Sequence, residues 1–199
     1  MKFNRRHLLG AMVAGTAGLV APRSLAAVGG GDSPALLPQA MAALHRHAAA
    51  IPHRDIIGLV NFAAHSREPR FQLVDVASGR VIRTMHVAHG SGSDPANTGW
   101  VQRFSNRPGS NASSPGSYVT GPTYYGRHGR SRKLRGLDPE NCLAESRAIV
   151  IHGASYVDAR MAAQQGRIGR SQGCLAVSTR DIEDLLELLG PGRLIYAAR

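Results

Sequence analysis

Cysteine is scarce in this chain. Cys142 and Cys174 are its only two cysteines, which allows at most one disulfide. Acidic residues are few as well: 13 Asp and Glu stand against 24 Lys and Arg, for a formal charge of +11. No apolar run is long enough to span a bilayer. The best candidate, Leu8 to Ala21, falls short of the required ~20 residues and is diluted by Gly10, Gly15, Thr16 and Gly18. There is no internal repeat. No nucleic-acid motif accompanies the basic charge, so binding to nucleic acid is not expected. A metal centre is not expected either. His45, His47 and His53 lack a nearby cysteine or carboxylate, and a His-x-His pair on a helix points to different faces.

What is present reads as one globular domain behind an export signal. With 43% hydrophobic residues, a chain of 199 can bury a real core but is short for two domains. Residues 1–26 begin basic, turn weakly apolar and end in small residues, which marks a segment to be set apart from the fold. Arg5-Arg6, in Asn-Arg-Arg-His-Leu-Leu-Gly, resembles a twin-arginine signal, so the expected location is the periplasm, with cleavage after Ala26 or Ala27. The competing reading is an uncleaved anchor. Only this segment would touch a membrane. Losing residues 1–26 removes Lys2, Arg5, Arg6 and Arg23 and no acid, so the charge falls from +11 to +7. That excess suits an acidic envelope polymer, or is simply an arginine-rich solvated surface. In an oxidising compartment a Cys142–Cys174 bridge competes directly with any catalytic use of Cys174.

Residues 27–54 are expected to form a linker and an N-terminal helix, capped at Ser33 with Pro34 in the first turn. Leu36, Leu37, Ala40, Met41 and Leu44 share one side, and the helix stops before Ile51-Pro52. From residue 55 to 199 the texture is that of strands. DIIGLVNFAA is a short apolar run, and RFQLVDV and RVIRTMHVA flank an Ala-Ser-Gly-Arg turn. YVTGPTYYG, RAIVIHG and RLIYAA follow. Ser178 or Thr179 would cap a last helix, RDIEDLLELLG, which Gly190-Pro191 ends. Residues 89–117 make a long Gly/Ser/Asn/Pro segment, and Trp100 and Phe104 within it argue against plain disorder. The sum is a mainly β fold with helices at its margins.

Two residues could carry covalent chemistry. His152 ends the apolar run Ile149-Val150-Ile151, where a strand opens into a loop. Cys174 lies in Gly-Arg-Ser-Gln-Gly-Cys, where Gly173 permits a bend whose N–H groups could meet an oxyanion. Arg167 and Arg170 add positive potential that would favour a thiolate. Ser171 reads as a hydrogen-bonding member of the turn. Tyr124, Tyr125 and Trp100 are either groove-lining or core residues. Cys142 reads as a packed free thiol.

His152-Gly153 followed by Ser171-Gln172-Gly173-Cys174 resembles the catalytic segment of the murein L,D-transpeptidase (YkuD-like) family. Ser113-Ser114-Pro115-Gly116-Ser117-Tyr118 and the hairpin from Phe71 to Gly92 are similar to further family segments. A branch with Gly-Arg-Ser-x-Gly-Cys is matched also at Phe104-Ser105-Asn106 and His128-Gly129-Arg130-Ser131. The resemblance implies an L,D-transpeptidase-type β-sandwich, with Cys174 as nucleophile and His152 as base, its imidazole oriented by the Gly153 carbonyl. It also implies an oxyanion hole at the N–H groups of Gly173 and Cys174, and peptidoglycan stem peptides as partners of a monomer without cofactor. Arg170, Ser171 and Tyr125 are the candidate substrate contacts. The pattern departs at Gln172, where the family has His, at Leu175, where the closer branch tends to have Pro, and at Ala176, where the family has Arg. Arg170 is the candidate to replace that arginine. A sortase-like protein transpeptidase also places His before Cys, but its cysteine ends a Thr-Leu-x-Thr-Cys strand unlike this bend. A non-catalytic envelope-binding domain is the remaining alternative.

Overall fold

The computed structural model describes residues 34–199. The expected export signal, linker and Ser33 cap lie outside the described residues. Helix α1 runs over Leu37–Arg46, later than expected, with Pro38 rather than Pro34 in its first turn. Strands follow at β1 Ile56–Asn61, β2 Phe71–Asp75, β3 Val81–Met85, β4 Gly116–Gly126, β5 Gly129–Gly136 and β6 Val150–Ala154. Then come α2 Ala159–Gln165, β7 Leu175–Ser178, α3 Ile182–Leu188 and β8 Leu194–Ala198.

All eight strands belong to one mixed sheet in the order β3-β2-β1-β8-β4-β5-β6-β7. β1 lies between β2 and β8 and is covered on both faces, which is why it reads as an unbroken apolar run. Ile57 and Leu59 point outward to Ala40, Ala43 and Leu44 of α1, together with Val74, Val119 and Leu194. Val60 points inward to the main core. Gly58 shares that inward face. A Cβ there would lie 2.9 Å from the Phe71 ring, so a side chain is excluded by close packing.

A flat sheet of this order would hold its edge strands roughly 34 Å apart. Instead the chain just beyond β3 returns to β7, and the Ala88 N–H donates to the Ala176 carbonyl at 2.8 Å. The sheet therefore curls until its two ends meet. Inward side chains of every strand, among them Phe71, Met85, Tyr118, Leu134, Ile151, Leu175 and Ile195, join Leu185, Leu186 and Leu189 in one core. The expected mainly β sandwich with marginal helices is what forms, its layers supplied by a single sheet.

Three elements were not legible beforehand. β5 carries Arg130, Arg132, Lys133 and Arg135, a polar string that hides its inward face. Arg132 is nevertheless buried, donating to the Gly121 and Leu186 carbonyls at 2.7 Å each. β7 is only four residues long. α2 is announced by Asp158, whose carboxylate accepts from the Arg160 and Met161 N–H groups, and by left-handed Gly166. α3 has Asp181 at its N-cap rather than the expected Ser178 or Thr179; Ser178 instead braces the turn before it, its hydroxyl accepting from the Asp181 N–H at 3.1 Å.

The long segment 89–117 is ordered around a buried carboxylate. Asp94 accepts from the Thr98 N–H and hydroxyl, the Gly99 N–H and the Gln102 amide. Burial opposes its charge, but the Thr98 and Gly99 amides hold its pKa below the usual carboxylate value. Phe104 packs on the core against Phe62, whereas Trp100 is half exposed and meets the edge of His65.

Candidate active site

β6 and β7 are parallel neighbours, with Ile151 opposite Leu175 and both in the core. Residues on either side of that pair face the other way, so Cys174, level with Val150, shares a face with His152. Diagonal neighbours at this offset lie roughly 8 Å apart at the backbone, a gap two side chains can close. Cys174 and His152 in fact line one cavity of about 230 Å³, with Arg127, His128, Tyr156, Arg170, Ser171 and Gln172. Larger depressions on the surface hold no cysteine; one of about 380 Å³ shares Arg170 to Gln172 as a wall.

The histidine is held in one tautomer. Nδ1 of buried His152 donates to the Gly153 carbonyl at 2.9 Å, which leaves Nε2 without a proton. Its ring stacks on His128, with centroids 4.1 Å apart and planes 19° apart. Burial lowers its pKa; the Gly153 carbonyl raises it, and the charges of His128 and Arg127 lower it again.

Both cysteines are free, so the competing disulfide does not form. Cys142 is exposed rather than packed, beside the Asn106 amide at 3.3 Å. Burial pushes the Cys174 thiol up. The Val150 N–H, then Arg127 and Arg147, then the cysteine's own N–H pull it down without cancelling that penalty. Both shifts favour the uncharged forms, a thiol and an imidazole. Among the cations, Arg127 and Arg147, from other elements, act most on the sulfur, ahead of the expected Arg167 and Arg170. The thiol donates to the carbonyl of Ala148 at 3.6 Å, a residue held at the unusual φ of 54°.

The bend itself is braced from below. Ser171 takes the turn role: its hydroxyl donates to the Cys174 carbonyl at 2.7 Å and accepts the Gly173 N–H at 3.0 Å. The Gly173 amide expected in an oxyanion hole is therefore occupied, leaving the Cys174 N–H facing the sulfur. Gly173 has φ 115°, and a Cβ there would lie 2.8 Å from the Ala112 carbonyl. Ser171 also exchanges backbone bonds with His89 and Ser91. Arg147 donates to Ser105, Ser110, Ala112 and Ser114, tying the Ser-Ser-Pro-Gly segment beside Gly173.

Arg170 keeps its place at the cavity, whereas the Tyr125 assignment needs correction. Arg170 lines the cavity, but its Nη1 donates to the carbonyls of Asp94 and Pro95, so it pins a loop. Tyr125 is 83% exposed at the outer end of β4 and lines none of the cavity. Strand alternation separates it from Tyr124, which borders a different depression with Ala148 and Val150. Sequence reasoning gave no role to Arg127, His128 or Tyr156. His128 stood in a recognised motif, and that was the only available signal.

A cysteine and an oriented imidazole share one cavity, beside a glycine bend. Residues 31–198 match the L,D-transpeptidase catalytic domain family (YkuD_2), and the chain belongs to that family. No curated protein matches it. Solved structures that resemble it include an L,D-transpeptidase from Xylanimonas cellulosilytica. That likeness is 18% identical, with 81% of this chain and 70% of that one covered and a TM-score of 0.44. L,D-transpeptidase 3 from Mycobacterium tuberculosis, with a faropenem-derived adduct, is 13% identical over 73% and 60%, with a TM-score of 0.46. An L,D-transpeptidase from Mycobacterium smegmatis is 13% identical over 73% and 59%, with a TM-score of 0.45. The matched region spans about three-fifths of most of these chains.

Proposed function

We propose that this chain is a cysteine-dependent L,D-transpeptidase acting on peptidoglycan stem tetrapeptides, in the family branch with Gly-Arg-Ser-x-Gly-Cys. One observation carries the reading. Cys174 and His152 line a single cavity from one face of the β6–β7 pair, with the imidazole's Nδ1 tied back to Gly153.

The chemistry follows from the neutral resting pair. His152 Nε2 takes the thiol proton as Cys174 Sγ attacks the carbonyl of the third stem residue. The Cys174 N–H faces the developing oxyanion. The Gly173 N–H joins it only by giving up Ser171 as its partner. When the intermediate collapses, the C–N bond breaks, His152 returns its proton to the leaving amine, and terminal D-alanine departs, leaving the acyl group on Cys174 as a thioester. An amine of a second stem then attacks that thioester, forming a new amide and regenerating the thiol. With water in its place, the product is the free acid and the enzyme is an L,D-carboxypeptidase. No metal or organic group enters these steps. The twin-arginine-type segment at 1–26 supports export to the periplasm, and the residual positive charge suits an acidic wall polymer.

The test is mass spectrometry of the mature protein incubated with purified tetrapeptide stems. The wild type gains the mass of an acyl tripeptide and releases D-alanine; Cys174→Ala gains nothing. An unchanged adduct on Cys174→Ala refutes the assignment. Stem binding without turnover, equal in both proteins, would mark a wall-binding module instead.

A further inference from the structure

We infer that Arg127, at the tip of the β4–β5 hairpin, is the anion clamp of this site, and that its ligand is the free α-carboxylate of the residue expelled from the stem. The inference rests on the acyl-transfer reading and gives one of its substrate contacts a residue.

The leaving residue's α-carboxylate is separated from the attacked amide nitrogen by a single carbon. Once that amide lies against Cys174, the carboxylate has to sit in the same cavity of about 230 Å³. Burying a carboxylate there without a partner would be costly, so a cation is needed. Two of the lining residues are cationic, and none is acidic. Arg170 commits Nη1 to the backbone carbonyls of Asp94 and Pro95, which leaves it without a free pair of terminal nitrogens. Arg127 donates through Nε to Nε2 of His128 at 2.9 Å, and its two terminal nitrogens have no partner among the described residues. A guanidinium with both terminal nitrogens free is the fork that a carboxylate matches in two parallel bonds.

The hairpin also holds that fork in place. Gly126 pairs with Gly129, so Arg127 and His128 are the two residues of a tight turn. The His128 ring stacks on His152 at 4.1 Å, which anchors the turn to the catalytic imidazole. Two arginines nearby already have partners: Arg130 has Glu183 and Glu187, and Arg147 has four oxygens of the loop. Residue 176, two after Cys174, is an alanine, so the positive charge at this cavity comes from the β4–β5 hairpin and from Arg170. The consequence is a preference for stems that end, with a free acid, one residue beyond the attacked carbonyl.

Initial rates of acyl-enzyme formation, by intact-protein mass, test this with a tetrapeptide stem and the same peptide carrying a C-terminal amide. The wild type is expected to favour the acid by about tenfold or more, as for a hydrogen bond to a charged group. Arg127→Gln should bring the two rates within about twofold, and Arg127→Lys should retain part of the preference through a point charge. Neutral iodoacetamide, applied in parallel, reports whether each variant still presents a reactive Cys174. A Gln variant that alkylates normally and keeps the full preference for the acid overturns the clamp. A wild type that acylates on neither peptide brings down the acyl-transfer reading, and the clamp with it.

Discussion

Acid is expected to loosen the layer that backs the Ser171–Cys174 bend, by an amount that can be worked from one buried histidine. His89 is fully buried, and its carbonyl accepts the Ser171 N–H. Arg70 Nη2 lies 2.6 Å from Nδ1, so Nδ1 is the acceptor and the neutral ring carries its proton on Nε2. That Nε2–H makes only a long 3.4 Å contact with Asp94 Oδ2 and lacks a well-directed bond. Burial, then the charge of Arg70, lowers the His89 pKa from 6.5 to about 4, with Asp94 pulling upward and Arg170 downward.

In the unfolded chain the ring titrates near its ordinary value. Between pH 6.5 and about 4 the unfolded state therefore takes up a proton that the native state refuses. The contribution of His89 is complete above that window and declines by ~1.4 kcal/mol per pH unit as pH falls through it. Two units of acidification, to pH 4.5, remove ~3 kcal/mol, a large part of a typical domain's stability. Urea unfolding of wild type and His89→Gln at pH 7.5 and 4.5 measures this. Glutamine can still accept from Arg70, but it does not titrate. The wild-type advantage at pH 7.5 is expected to shrink by ~3 kcal/mol at pH 4.5. Asp55 and Asp138, whose pKa values are lowered mainly by partners outside this cluster, weaken both proteins alike and cancel in the difference. Parallel loss of stability in the two proteins would refute the reasoning.

The neutral resting pair makes a kinetic prediction. In a Cys142→Ser background without substrate, alkylation of Cys174 by iodoacetamide is expected to rise with pH, with its midpoint above 9.0, because burial outweighs the nearby N–H groups and arginines. A midpoint near neutrality would mean a preformed thiolate and sink that part of the mechanism. Gly173→Ala should abolish turnover and cost ~1–3 kcal/mol by strain at its φ of 115°. Full activity with unchanged urea stability would show that the bend does not need glycine.

The candidate site was legible where it is local. The proposed nucleophile, base and glycine bend are short words in the chain, and Cys174, His152 and Gly173 could be picked out from them as candidates. Alternating and unbroken apolar runs likewise announced most strands, because one face of each must meet a core. Charge concealed what burial later explained: Arg132 is inside because two carbonyls await it, and no periodicity rule anticipates that for β5.

The partners of the site were decided by tertiary structure alone. Residue type marked Arg170 as the natural cation and Tyr125 as a natural groove residue. The path of the chain turned the first onto carbonyls and left the second in solvent. Only the curl of the sheet, joining Ala88 to Ala176, brings the His89–Asp94 layer beneath the bend. Only the β4–β5 hairpin lays His128 on His152. Reactivity belongs to an atom and its immediate neighbours in the chain. Orientation, charge environment and access belong to groups distant in sequence, and folding alone chooses those.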